Sequence, residues 1–171
     1  MSNFTAIFRV RLLGAVLVAL CAVLAWPAMA GMQTAEATVT GVSDGDTMHV
    51  LIDGERVKVR LANIDAPEKK QDWGRRSEQA LRQLVYRQQV RLSWREQDRY
   101  GRIVADVWSG PVHVNAELVR NGSAMVYERY SRDPSLKRLQ EQAQSAKVGL
   151  WSQPNPVAPW TWRKQSREAN E

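Results

Sequence analysis

The sequence predicts an α+β fold, a five-stranded Greek-key β-barrel of the OB type with three α-helices packed against it. Three observations lead there. Five short runs alternate apolar with polar residues, as half-buried strands do. The pair Asp53-Gly54 sits between two of these runs and reads as a hairpin turn. Three further runs space their apolar residues at helical intervals, one after the third strand candidate and two after the last.

Taken in order, the chain opens with Arg9 and Arg11, the apolar stretch Leu12 to Trp26, and Pro27-Ala28-Met29-Ala30. This is the layout of a secretory signal peptide (residues 1–30) with cleavage after Ala30, so the mature protein is expected in the periplasm or the medium. The apolar stretch of 15 residues is shorter than the roughly 20 that cross a bilayer, which disfavours a retained anchor. Cys21 follows the bulky Leu20 rather than a small residue, which disfavours lipidation there. Cleavage removes the single cysteine, so disulfide and thiol chemistry are excluded from the mature chain. It also lowers the net charge from +6 to +4, a basic balance that suits a polyanionic partner.

A short lead, residues 31–36, precedes the domain, which is expected over 37–152. Its strands are expected at Ala37 to Val42, Thr47 to Ile52, Arg56 to Leu61, Val90 to Trp94 and Ile103 to Trp108. In the third, Val57, Val59 and Leu61 share one face. Helices are expected at Arg75 to Arg87, Val114 to Arg120 and Ser135 to Lys147, the last with Ser135 as N-cap and Gly149 as terminator. Trp94, Trp108 and Trp151 read as core residues. Residues 153–171 hold three prolines, Trp160 and Trp162, and read as a polar, partly ordered tail.

Chemistry is concentrated in three runs: Ser43-Asp44-Gly45-Asp46-Thr47, Arg60-Leu61-Ala62-Asn63-Ile64-Asp65-Ala66-Pro67-Glu68, and Asp98-Arg99-Tyr100-Gly101-Arg102. Asp44-Gly45-Asp46 alone is good turn sequence. With Asp65 also present, Asp46 and Asp65 become candidate metal ligands, because two carboxylates brought together repel unless a cation or proton lies between them. Hard oxygen donors without a Cys or His cluster favour calcium or magnesium over zinc. His49 is expected to alternate outward on its strand. Pro67 stiffens the loop that presents the Glu68 carboxylate. Arg60 and Arg102 offer the planar donor fork that fits phosphate oxygens.

In their order and their strand-like surroundings the three runs resemble the thermonuclease (staphylococcal nuclease) family, from about Ala37 to Ser152. That resemblance implies the same OB barrel with three helices. It implies one Ca²⁺ held by Asp46, Asp65 and the backbone carbonyl of Ala66, with Asp44 acting through water or the other ligands. It further implies that Glu68 orients or deprotonates the attacking water and that Arg60 and Arg102 stabilise the phosphorane, Arg102 also assisting the leaving oxygen. Ala66 departs from the threonine of well-studied members, which a main-chain ligand tolerates. Arg99, Tyr100 and Tyr130 stand where the family contacts nucleotide, with Tyr127 an equal contender for the last place. Lys69, Lys70, Arg75 and Arg76 form either a basic rim over the substrate or a solvated charge run.

The expectation is a secreted, calcium-dependent endonuclease acting on DNA and RNA with little sequence preference. Single-stranded or frayed substrate is expected to be preferred, with 3′-phosphorylated products. A monomer is expected, with no stable membrane association after signal cleavage. The competing expectation is a nucleic-acid-binding OB module without catalysis, against which the presence of all five charged site residues weighs.

Overall fold

The structure is a computed structural model that describes residues 31–170; the signal segment expected over 1–30 lies outside the described residues. Five strands close into a mixed barrel: β1 (Gln33–Val42), β2 (Thr47–Ile52), β3 (Glu55–Leu61), β5 (Gln89–Gln97) and β6 (Ile103–Ser109). Neighbours pair antiparallel in the order β3-β2-β1-β5-β6, and β6 returns to β3 in parallel to seal the barrel. Two very short strands, β4 (Ile64–Asp65) and β8 (Met125–Val126), pair outside it, and β7 (Val112–His113) folds back antiparallel against the end of β6. The helices are α1 (Gly74–Val85), α2 (Val114–Arg120), α3 (Pro134–Ser145) and α4 (Pro159–Glu168).

The alternation that marked the strands fills the barrel. Val39, Met48, Val50, Val59, Leu61, Leu92, Ala105 and Val107 are buried and form one cluster with Leu81 and Val85 of α1 and Val114 and Leu118 of α2. In β1 the register slips between Val39 and Gly41, so that Val42 rather than Gly41 turns inward. The five expected strands and three expected helices are all present.

Several boundaries and assignments differ from the sequence expectation. β1 starts at Gln33, inside the expected lead, because its exposed first residues pair by backbone with Ser93, Trp94 and their neighbours in β5. The N-cap of α3 is Asp133, whose carboxylate accepts from the Ser135 N–H at 2.7 Å, with Pro134 at the first helical position. Trp108 lies on the outer surface, stacked on His113 at 4.7 Å with the Arg91 guanidinium 4.3 Å from its ring. Trp94 and Trp151 are half-buried. The expected tail contains a ten-residue helix, α4, which Pro159 starts with its preset φ.

One buried polar residue ties this assembly together. Asn115, fully buried in α2, accepts from the Val107 N–H at 3.0 Å and donates to the carbonyls of Ala62 at 3.0 Å and Ala105 at 3.2 Å. It thereby joins α2 to β6 and to the turn that leads from β3 toward β4. Replacing it with alanine leaves the Val107 N–H and the Ala62 carbonyl without this partner, while the Ala105 carbonyl keeps the Ala62 N–H at 2.8 Å, and Asn115→Ala is expected to cost about 3 kcal/mol of stability. A urea denaturation midpoint equal to that of the wild type would show that the two orphaned backbone groups find other partners.

Candidate active site

The register of β2 against β3 sets up the site. Thr47 is opposite Arg60, and the Asp46 carbonyl accepts from the Leu61 N–H at 2.8 Å, so the carboxylate before β2 is beside the arginine that nearly ends β3. A tight turn then leads into β4, where Asp65 is fixed by pairing with Met125 of β8. Arg60 bridges the two acids: one amino group bonds Asp46 Oδ1 and the other bonds Asp65 Oδ1 at 2.8 Å. Asp46 Oδ1 also accepts from Thr47 Oγ1 at 2.9 Å, and Asp46 Oδ2 accepts from the Ala66 N–H at 2.9 Å. Both aspartates are buried, Asp65 completely.

Glycine permits this packing at two points. A Cβ on Gly45 would stand 2.6 Å from the Ser77 Cβ and 2.7 Å from the Ala66 Cβ, so the loop carrying Asp46 can nest between α1 and the Asp65 segment only without one. A Cβ on Gly74 would overlap the Glu68 carbonyl oxygen, so the start of α1 presses directly on the loop that presents Glu68. That loop is also held by Gln71, whose backbone N–H donates to the Glu68 carbonyl at 2.8 Å and whose Oε1 accepts from the Glu68 N–H at 3.2 Å.

The C-terminal helix supplies a residue that sequence reasoning missed. Arg163 of α4 donates to Asp65 Oδ1 at 3.1 Å, to Asp65 Oδ2 at 2.7 Å and to Glu68 Oε1 at 2.8 Å. Trp160, one turn earlier, stacks on Tyr127 at 5.2 Å with the rings nearly parallel, and the Val157 carbonyl accepts from Gln71 Nε2 at 2.7 Å. The one available signal was Trp160 with Arg163 at i, i+3 behind a helix-starting proline. It is a weak signal, since it says nothing about where the helix docks.

The charges are strongly perturbed. Burial, and then repulsion from Asp46, push Asp44 up to about 6. Burial pushes Asp65 upward, while Arg163 and Arg60 oppose that push. Burial works against the cationic form of both arginines, and their acidic partners overcome it, leaving each firmly protonated. Four carboxyl groups thus face two guanidinia, an anionic surplus that suits a hard divalent cation. Among the described residues no three acidic, histidine or cysteine side chains converge as a ready cage. Asp46 and Asp65 would need completion by backbone carbonyls and water, which calcium and magnesium accept. Ala66 is buried with its backbone at the cluster.

The remaining predicted residues are spread around this centre. Arg102 sits just before β6, whose Val104 pairs with Arg60, so both arginines border the same barrel end. Its guanidinium is held by Asp98 at 2.7 Å and makes no hydrogen bond to the acidic cluster. Despite some burial, Arg102 and nearby backbone N–H groups hold Asp98 below the usual carboxylate range. Tyr100 is exposed at the hairpin tip with the Arg99 guanidinium 4.9 Å from its ring. Tyr130 is exposed and meets Tyr127 edge-on at 4.8 Å. His49 bonds Ser43 Oγ at 3.0 Å and takes no part in the cluster.

Comparison with known proteins gives the family. The family model described as Staphylococcal nuclease homologue matches residues 58–153. An uncharacterized endonuclease of Escherichia coli is 44% identical over 142 residues, covering 82% of this chain and 92% of its own. Protein ParB of Escherichia coli is 42% identical over 144 residues, covering 78% and 81%. A micrococcal nuclease of Shigella flexneri is 35% identical over 177 residues, covering 96% and 98%. With more than half of the chain matched by the family and these relatives spanning most of its length, the chain belongs to the staphylococcal nuclease family and is an endonuclease of the thermonuclease type.

Proposed function

We propose that this endonuclease is exported, depends on calcium, and hydrolyses phosphodiester bonds of DNA and RNA as a monomer with little sequence preference, leaving 3′-phosphates. The observation that carries the reading is the pair of buried aspartates joined by Arg60, with Glu68 alongside. Asp46, Asp65 and the Ala66 carbonyl would hold the ion, with Asp44 contributing through water. When bound, calcium supplies positive charge beside the phosphoryl oxygens and favours ionised carboxylates. The export signal is the N-terminal pattern described above, and no helix among the described residues is long and apolar enough to cross a membrane.

The protein groups act around an in-line displacement. Glu68 orients the attacking water and accepts its proton as the new P–O bond forms. The bond from phosphorus to the 5′ oxygen breaks as that oxygen takes up a proton from water, leaving a 3′-phosphate and a 5′-hydroxyl. Arg60 and Arg102 meet the charge that develops on the equatorial oxygens, and Arg102 faces the departing oxygen. For this, Arg60 must exchange part of its hold on the aspartates for the phosphate. Tyr100, Arg99, Tyr127 and Tyr130 would meet the nucleotides flanking the scissile bond, their rings suiting stacking of unpaired bases, which favours single-stranded or frayed substrate.

Hydrolysis of single-stranded DNA by the chain from Gly31 onward, with calcium, magnesium or a chelator, tests this. Activity is expected with calcium and not with chelator, and Glu68→Gln is expected to lose on the order of 10²-fold in turnover while still binding DNA. Tight binding without cleavage under every ion would make the protein a binding module. Arg102→Lys keeps the charge but loses the fork, and is expected to fall on the order of 10²-fold in kcat/KM. Wild-type rates in that variant would show that a point charge suffices.

A further inference from the structure

We propose that Arg163 is a positioning residue of the nuclease site, holding Glu68 against Asp65 in the orientation that attack on phosphate requires; this rests on the role given to Glu68 above. Arg163 lies beyond residues 58–153, the stretch that the family model matches. Its amino group Nη1 is shared between Asp65 Oδ1 and Glu68 Oε1, and Nη2 takes Asp65 Oδ2. One guanidinium therefore links an immobile carboxylate to an adjustable one. Asp65 is fully buried in a paired strand, whereas the Glu68 side chain is 35% exposed on a loop.

Among the described residues nothing else holds the Glu68 carboxylate. Its backbone is fixed by Gln71 and by the approach of Gly74, but among the described residues Arg163 is its only side-chain partner. Unpaired, it would be repelled by Asp65 three residues away and would sample several rotamers. Paired, it is held in one orientation with Oε2 left free for water.

The same geometry argues against Arg163 as a plug. It makes no bond to Asp46, and Asp46 Oδ2 and Asp65 Oδ2 each accept a single hydrogen bond, leaving each a lone pair to offer a cation. The helix is also anchored independently of the arginine, through Trp160 on Tyr127, buried Pro159, and Val157 on Gln71.

The test uses the chain from Gly31 to its C-terminus, with Arg163→Ala and Arg163→Lys, assayed on single-stranded DNA with calcium. Arg163→Ala is expected to lose about 10²-fold in kcat with KM within about threefold, because the interaction orients a reacting group rather than binding substrate. Millimolar guanidinium ion is expected to restore part of that loss in Arg163→Ala and none in Arg163→Lys, whose ammonium occupies the place without the fork. Without calcium, a double-mutant cycle of Arg163→Ala and Glu68→Gln on the urea midpoint is expected to be less than additive. Unchanged kcat, or additive behaviour in the cycle, overturns the proposal. So does faster cleavage or tighter calcium binding by calorimetry in Arg163→Ala, which would make α4 a plug. Loss of activity with a lowered midpoint and no guanidinium rescue would reduce Arg163 to a structural contact. If the wild type itself cleaves nothing with calcium, the function proposed above fails, while the cycle still reports whether Arg163 holds Glu68.

Discussion

Two aspartates buried beside each other at one end of a small barrel are the constraint to which the rest of this structure answers. Burial, and repulsion from Asp46, oppose the ionised form of Asp65, and the upward push on Asp44 next door shows how far the surplus of negative charge extends. Arg60 answers it by taking one oxygen from each, and the Thr47 hydroxyl and the Ala66 N–H take others. A buried guanidinium with its carboxylates satisfied is tolerable; the same acids without it would be costly. The pairing of β2 with β3 is what delivers Arg60 to that place, so the register of the barrel and the electrostatics of the site are one problem.

Close approach of backbone segments is the second requirement. The Asp46 loop, the Asp65 segment and the start of α1 meet with no room for side chains at Gly45 and Gly74. Asn115 secures the opposite side of the same turn by gathering Val107, Ala62 and Ala105. These contacts immobilise the main chain around the acids, which is what a site working by preorganised charge needs. The exposed aromatics are different in kind: Tyr100 and Tyr130 stand in solvent, each with an arginine near its ring. That combination suits bases and phosphates of many sequences.

The C-terminal helix changes how the site is bounded. Without α4, Glu68 would be a loop carboxylate facing solvent with a fixed backbone and a loose side chain. With α4 docked through Trp160, Pro159 and Val157, the site gains a third wall and the glutamate gains a partner.

The sequence by itself determined the barrel, because alternation, an Asp-Gly turn and three amphipathic stripes are local properties that survive into the folded state, residue for residue in α2 at Val114–Arg120 and with longer ends in β1 and β5. It also singled out Asp46, Asp65, Arg60 and Glu68, since short runs of acids and arginines at strand ends are conspicuous. Tertiary structure alone decided what these residues touch. It showed that Arg60 is drawn onto the aspartates, that Arg102 is held by Asp98 at the hairpin, and that Trp108 faces outward against His113. It also brought Arg163 from 98 residues away to Asp65. The physical reason is the same in each case. Periodicity reports which face of an element is apolar, whereas a charged side chain chooses its partner from everything the fold brings within reach, and that is set by long-range packing.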